Sequence, residues 1–198
     1  MVPGTTSMLP VLDATGTDRV GERIRALRRA RGLTLVQLAG LADLSHPFLS
    51  QIERGLARPS LASLERIAHA LGASQVELLT FTEPGSADAA PSVLRAAEGA
   101  RGAYGGESEA RVLLDAGSPF RSLEVRGDNT AFGPAWVHAE HEWFYVLDGI
   151  VEVDLGGLVE ALGVGDSASC PGGVPHCWRS PDGRPYRLLI VKEQVHRP

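Results

Sequence analysis

Nothing in this 198-residue chain approaches the roughly 20 consecutive apolar residues of a membrane-spanning helix, so no membrane partner is expected. Its first residues, Met1 to Thr17, lack both a positively charged start and an apolar stretch. No secretory signal is read there, and 1–17 is expected to be a disordered tail. Cysteine is nearly absent: Cys170 and Cys177 are the only two. Two do not make a disulfide framework, so both are expected as buried, unreactive thiols of a cytoplasmic protein. Lysine is scarcer still, with Lys192 alone. No internal repeat is visible.

What is present divides in two. The stretch Thr82 to Ser92 (TEPGSADAAPS) has no hydrophobic period and is rich in Pro, Ala, Ser and Gly, so 82–92 is expected to be a linker. Before it, 18–81 carries helical signals; after it, 93–198 carries strand and turn signals. The net charge of −5 is unevenly spread. Asp18 to Thr80 holds nine Arg against six acidic residues, whereas Val93 to Pro198 holds ten basic residues against fifteen acidic ones. A mildly basic module joined to an acidic one suggests a division of labour. The expected fold class is α+β multidomain, an all-α five-helix unit followed by an all-β barrel.

The helical unit is punctuated by caps. Thr34 and Gln37 form a capping box, as do Ser74 and Glu77. Ser45 can cap a helix whose first turn tolerates Pro47, and Ser60 starts another with a core stripe of Leu61, Leu64, Ile67, Ala68 and Leu71. Residues 34–55, TLVQLAGLADLSHPFLSQIERG, place small Ala39 at a steep helix crossing above Leu38, Leu44, Leu49 and Ile52. This stretch resembles the XRE family of helix-turn-helix proteins over about 60 residues, and Phe48–Gly55 matches that family's recognition helix closely. One departure is Asp43, where the family usually has Gly in a left-handed turn. In such motifs the third helix enters the major groove N-terminus first. That implies Ser45, His46, Pro47, Ser50 and Gln51 near the bases, with Gln51 able to pair with adenine. Gln37, Arg54 and Arg58 are better placed for phosphates.

The second half has short alternating runs, among them Arg111–Leu114, Trp143–Leu147, Ile150–Leu155 and Tyr186–Val191, separated by Gly-Asp, Asp-Gly and Gly-Gly turns. Over about 100 residues it resembles the cupin family of jelly-roll barrels. Gly165, Pro171, Gly173 and His176 follow that family's second motif, with Ser180 where Asn is usual. Glu142 and Gly149 end the first motif, and His138 stands four residues before Glu142. The pattern expects another His at 136, where this chain has Trp136. The resemblance implies that His138, Glu142 and His176 converge, with His141 as a substitute ligand or supporting partner. Two imidazoles and a carboxylate suit a divalent metal such as Fe, Mn, Zn or Ni. The alternative is an organic pocket, because alternation places Trp136, Phe144 and Trp178 inward with the candidate ligands. Cys177 is then expected to face away from His176.

Together the resemblances imply a transcriptional regulator: a homodimer on a double-stranded operator, whose cupin domain holds a small-molecule effector, a divalent metal or both. The rival is an enzyme. The iron-dependent hydroxypropylphosphonate epoxidase family also joins a helical domain to a cupin and uses a comparable His-Ala-x-x-Glu arrangement with a later His. That family's substrate-reaching Lys near the end of the first helix has no counterpart in Arg31-Gly32-Leu33, which favours the regulator. Effector, operator sequence and the sign of regulation are left open by the residues.

Overall fold

The computed structural model describes residues 14–80, 93–105, 108–114, 118 and 120–193. Five helices come first: α1 (Ala14–Ala30), α2 (Leu35–Leu41), α3 (His46–Glu53), α4 (Leu61–Ala70) and α5 (Gln75–Thr80). The first helix begins at Ala14, inside the stretch expected to be a tail. Residues 1–13 and the expected linker 82–92 lie outside the described residues. Among the described residues no helix is long and apolar enough to cross a membrane.

Local chemistry starts α2, α3 and α4. Gln37 N donates to Thr34 Oγ1, and Thr34 N donates back to Gln37 Oε1, closing the box at α2. Ser45 accepts from Phe48 N and Ser60 from Ser63 N. Between α2 and α3, Asp43 takes the left-handed conformation at φ 50, the position the family gives to Gly. Ile24, Leu38, Leu49, Ile52, Ile67 and Leu71 are fully buried between the helices. The first and third helices are clamped twice. Arg28 donates both arms of its guanidinium to Glu53, at 2.6 and 2.9 Å. Gly21 lets the backbones meet, since a methyl there would run into the Ile52 carbonyl.

Among the described residues nine antiparallel strands follow: β1 (Arg101–Ala103), β2 (Glu109–Val112), β3 (Phe120–Gly127), β4 (Glu142–Asp148), β5 (Val151–Leu155), β6 (Leu158–Leu162), β7 (Ser167–Cys170), β8 (His176–Arg179) and β9 (Tyr186–Glu193). They form a six-stranded sheet in the order β1-β2-β3-β9-β4-β7 and a three-stranded sheet in the order β6-β5-β8. Leu123, Val125, Phe144, Val146, Val153, Leu188 and Ile190 fill the space between them. Alternation along β9 is strict: Tyr186, Leu188, Ile190 and Lys192 all face inward. An isolated bridge between Trp136 and His176, with N–O distances of 2.8 and 3.0 Å, lashes the segment before β4 to the start of β8.

The helices sit on the barrel. Val76 of α5 belongs to the barrel's core, and Gly102 admits it at close range. Gly72, the stop after α4, has φ +59, and a methyl on it would lie 2.7 Å from both His138 Cβ and the Val137 carbonyl. The position therefore needs Gly for conformation and for space. Gly72→Ala should destabilise the protein by about 2 kcal/mol or more. A lower urea midpoint with an unchanged slope checks it.

Candidate metal centre and nucleic-acid interface

Three elements bring the candidate ligands together. His138 lies in the segment that the Trp136–His176 bridge fixes, Glu142 opens β4, and His176 opens β8. Their ligand atoms lie within 4.8 Å of one another, and all three residues are buried. His138 turns Nδ1 to the Glu140 carbonyl at 3.1 Å, and His176 turns Nδ1 to the Val174 carbonyl at 3.0 Å. A carbonyl can only accept, so in each neutral ring Nδ1 carries the proton and Nε2 keeps its lone pair. Both Nε2 atoms converge on one oxygen, Glu142 Oε2, at 2.7 and 3.0 Å. With both rings neutral, three lone pairs face one point. A cation resolves that conflict, and carbonyls behind the imidazoles are the usual support for metal-binding histidines. Neighbouring ligand atoms on an octahedral ion with bonds of about 2.1 Å lie about 3 Å apart, close to the distance of each Nε2 from Glu142 Oε2. His141 is not part of this cluster: its Nε2 meets Ser169 Oγ at 2.7 Å on the exposed side of β4.

Behind the triad runs a line of alternating charges, buried at Lys192, Glu77 and Glu140 and half-buried at Arg121 and Arg31. Glu142 Oε1 has no hydrogen-bond partner, and Lys192 Nζ stands 3.6 Å from it. The same ammonium is 3.6 Å from Glu77 of α5. Arg121 joins Glu77 at 3.3 Å to Glu140 at 3.2 Å, and Arg31 at the end of the α1 turn grips Glu140 with both arms at 3.0 and 3.1 Å. Burial works against ionising Glu142, but the Lys192 ammonium beside it favours the charged form, and the carboxyl is held below its ordinary range. Burial likewise opposes ionised Glu77, which Lys192, Arg121 and the Ser74 hydrogen bonds overcome. Lys192 is desolvated too, and its two carboxylate neighbours keep it charged.

Sequence reasoning missed this line. One signal was available: the only lysine of the chain stands on the inward parity of an apolar strand. Arg31, Glu77, Arg121 and Glu140 carried no such mark, because their partners are far apart in sequence. The aromatic residues divide. Phe144 is fully buried in the barrel, whereas Trp136 and Trp178 line a crevice beside it. Cys177 lines that crevice as well, while His176 faces the triad. Both cysteines are buried free thiols, their pKa pushed up first by burial.

On the helical side, Gln37, Ser45, His46, Pro47, Gln51, Arg54 and Arg58 are exposed, and Ser50 is half-buried. Ile52 and Leu49 point inward, and Phe48 packs partly against the core. The face of α3 that carries Gln51 is therefore free of the protein's own packing.

Two domain families match the chain: "Helix-turn-helix domain" over residues 19–81 and "Cupin domain" over residues 124–192. The immunity repressor protein of Bacillus phage phi105 is 55% identical over 53 residues, 27% of this chain and 37% of the repressor, so the chain spans little more than a third of that relative's length. The uncharacterized HTH-type transcriptional regulator y4dJ of Sinorhizobium fredii is 41% identical over 64 residues, 32% of this chain and 83% of that protein. HTH-type transcriptional regulator SutR of Escherichia coli K12 is 27% identical over 164 residues, 79% of this chain and 84% of SutR. A solved HTH_3 family transcriptional regulator from Vibrio cholerae shares the fold with a TM-score of 0.55 at 18% identity, covering 92% of this chain and 99% of that one.

Lys192→Met should leave two buried carboxylates short of a cation and cost about 3–5 kcal/mol in metal-free protein. Added divalent metal should raise the melting temperature of this variant more than that of wild type, because Glu142 regains a cation. Calorimetry with and without Mn(II) measures both effects.

Proposed function

The chain belongs to the XRE-type helix-turn-helix family of transcriptional regulators, its reader joined to a cupin domain, and from that premise we propose a ligand-responsive repressor or activator that binds operator DNA through α3. The observation that carries the reading is the pairing of a free recognition face with a buried charge line running from the reader's α1 and α5 to the His-Glu-His cluster. Ser45, His46, Pro47, Ser50 and Gln51 meet base edges, with Gln51 hydrogen-bonding adenine. Gln37, Arg54 and Arg58 take phosphates and set the register. A homodimer supplies the two half-sites that such readers need.

His138, Glu142 and His176 would hold a divalent metal. When bound, it supplies a positive centre with open positions for an organic ligand's oxygen or nitrogen. The protein's part is to keep both imidazoles in the Nδ1–H form and Glu142 ionised. Lys192 makes the site's state felt outside the barrel. Any change in positive charge at Glu142 alters the balance at Lys192 and so at Glu77 on α5. The relatives are regulators, which favours binding over catalysis. Turnover of an organic molecule with Fe(II) and an oxidant would reverse that preference.

Two measurements test this. Gln51→Ala should weaken binding to the selected operator by about 1–3 kcal/mol and relax specificity at one base pair. Genomic selection that enriches no sequence at all would sink DNA reading. His176→Ala should abolish stoichiometric metal while Cys177→Ser keeps it, by elemental analysis after loading with Fe, Mn and Zn. Equal trace metal in wild type and His176→Ala would leave the barrel as an organic pocket.

A further inference from the structure

A crevice of about 590 Å3 opens between the reader and the barrel, a size within the range of about 300–1,000 Å3 usual for small-molecule sites. One wall is a face of α4, with Glu65, Arg66 and His69. The other is aromatic, with Tyr104, Trp136 and Trp178. The rings form a continuous surface: His69 to Trp136 at 4.8 Å, Trp136 to Tyr104 at 5.5 Å, and Tyr104 stacked on Trp178 at 5.8 Å. No member of the His-Glu-His cluster lines this space, and the Phe144 ring packs against both Trp178 and His176 behind it.

Three features of the walls point to an occupant. The aromatic side, its rings inclined to one another by 24° to 45°, offers stacking and edge contacts to a planar ring. His69 Nε2 is buried without a hydrogen-bond partner. An orphaned buried nitrogen is costly, so an acceptor in the crevice that reaches it would recover a bond. Arg66 lies one helical turn before His69 and lines the same space, as does Glu65, and neither forms an ion pair among the described residues.

We propose that this crevice is the effector site, and that its ligand is a small aromatic carboxylate bearing a ring hydroxyl or amine. The assignment rests on the reading of the chain as a ligand-responsive regulator. The ligand's ring lies on Tyr104, Trp136 and Trp178. Its carboxylate accepts from Arg66 and His69, and its hydroxyl or amine donates to Glu65. Such a ligand touches the reader and the barrel at once. Occupancy therefore favours one placement of α4, and with it of α2, the helix that packs on both α4 and the recognition helix, over others.

The test uses full-length protein and two probes, salicylate and 3-hydroxy-2-naphthoate, titrated against tryptophan fluorescence. Two of the three tryptophans line the crevice. Hexanoate and 1-naphthylmethylamine serve as the aliphatic acid and the cationic aromatic. The expected result is saturable quenching by the two probes, weakened about 10-fold or more in Arg66→Ala and in His69→Gln, and retained in His176→Ala. Arg66 is exposed, so its variant keeps the fold. The proposal is overturned if neither probe binds at millimolar concentration, if both variants bind as tightly as wild type, or if hexanoate or the amine binds as well. Operator affinity is measured separately, with and without probe. Quenching without any change in operator affinity overturns the effector assignment. Absence of operator binding both with and without probe defeats the regulator reading, while the titration still decides the crevice.

Discussion

The structure turns on one carboxylate. Glu142 is fully buried, offers one oxygen to two imidazole lone pairs, and turns the other toward the only lysine in the chain. A lone buried carboxylate would take up a proton rather than stay ionised. Here Lys192 keeps it charged, and Lys192 in turn needs Glu77, which lies on a helix of the other domain. Six charges alternate in sign from Arg31 to Glu142, so no member can be changed without leaving a neighbour short of its partner. The domain interface and the candidate metal centre are therefore one electrostatic object.

That arrangement explains why the helices pack so closely on the barrel. Ion pairs at 3.0–3.6 Å demand that α5 come within reach of β3 and β9, and that Arg31, just past α1, come within reach of Glu140 ahead of β4. Gly72 and Gly102 remove the methyl groups that would hold the surfaces apart, and Val76 fills the seam with apolar contact. Apolar burial supplies the adhesion, and the charges supply the register. Buried ion pairs contribute less to stability than to choosing one arrangement among several, a use expected of an interface that must prefer a particular placement of its reader.

How much of this was legible depended on whether the signal was local. The capping residues Thr34, Ser45, Ser60 and Ser74 declare themselves within four positions of their partners. So does the left-handed turn at Asp43, once the surrounding motif is seen. The spacing of Glu142 to Gly149 and of Gly165 to His176 carried the barrel, because turns between short strands recur at fixed intervals. Lys192 was legible only through strand parity. Glu77 was seen as a cap of α5, and it is one, but its side chain also bonds charges from two strands. The pairings of Arg31 with Glu140 and Arg121 with Glu77 bridge 109 and 44 residues, and no local pattern encodes such distances. Grouping Trp136 and Trp178 with Phe144 followed from alternation, and the three do share one buried cluster, but the two indoles also border the crevice. Alternation cannot tell a barrel interior from a face that another domain covers.

Trp136 illustrates the last step. It stands where the cupin pattern expects a third imidazole, yet its backbone, not its ring, serves the triad, through the two hydrogen bonds that seat His176. The ring is turned to the crevice, against His69 of the reader and Tyr104 of the barrel. Tyr104 lies in turn beneath the Lys192 ammonium, 5.4 Å from it. One aromatic wall thus has the crevice on one side and the charge line on the other. A cation held at Glu142 changes the field at Lys192, and a ligand in the crevice presses on the ring that Lys192 faces. Each can bias the other only to the extent that it prefers one packing of this wall, and any such coupling must be reciprocal. Replacing a metal ligand by Trp therefore leaves the two-His-one-carboxylate set intact and gives the barrel a surface through which that set and the reader share a neighbour.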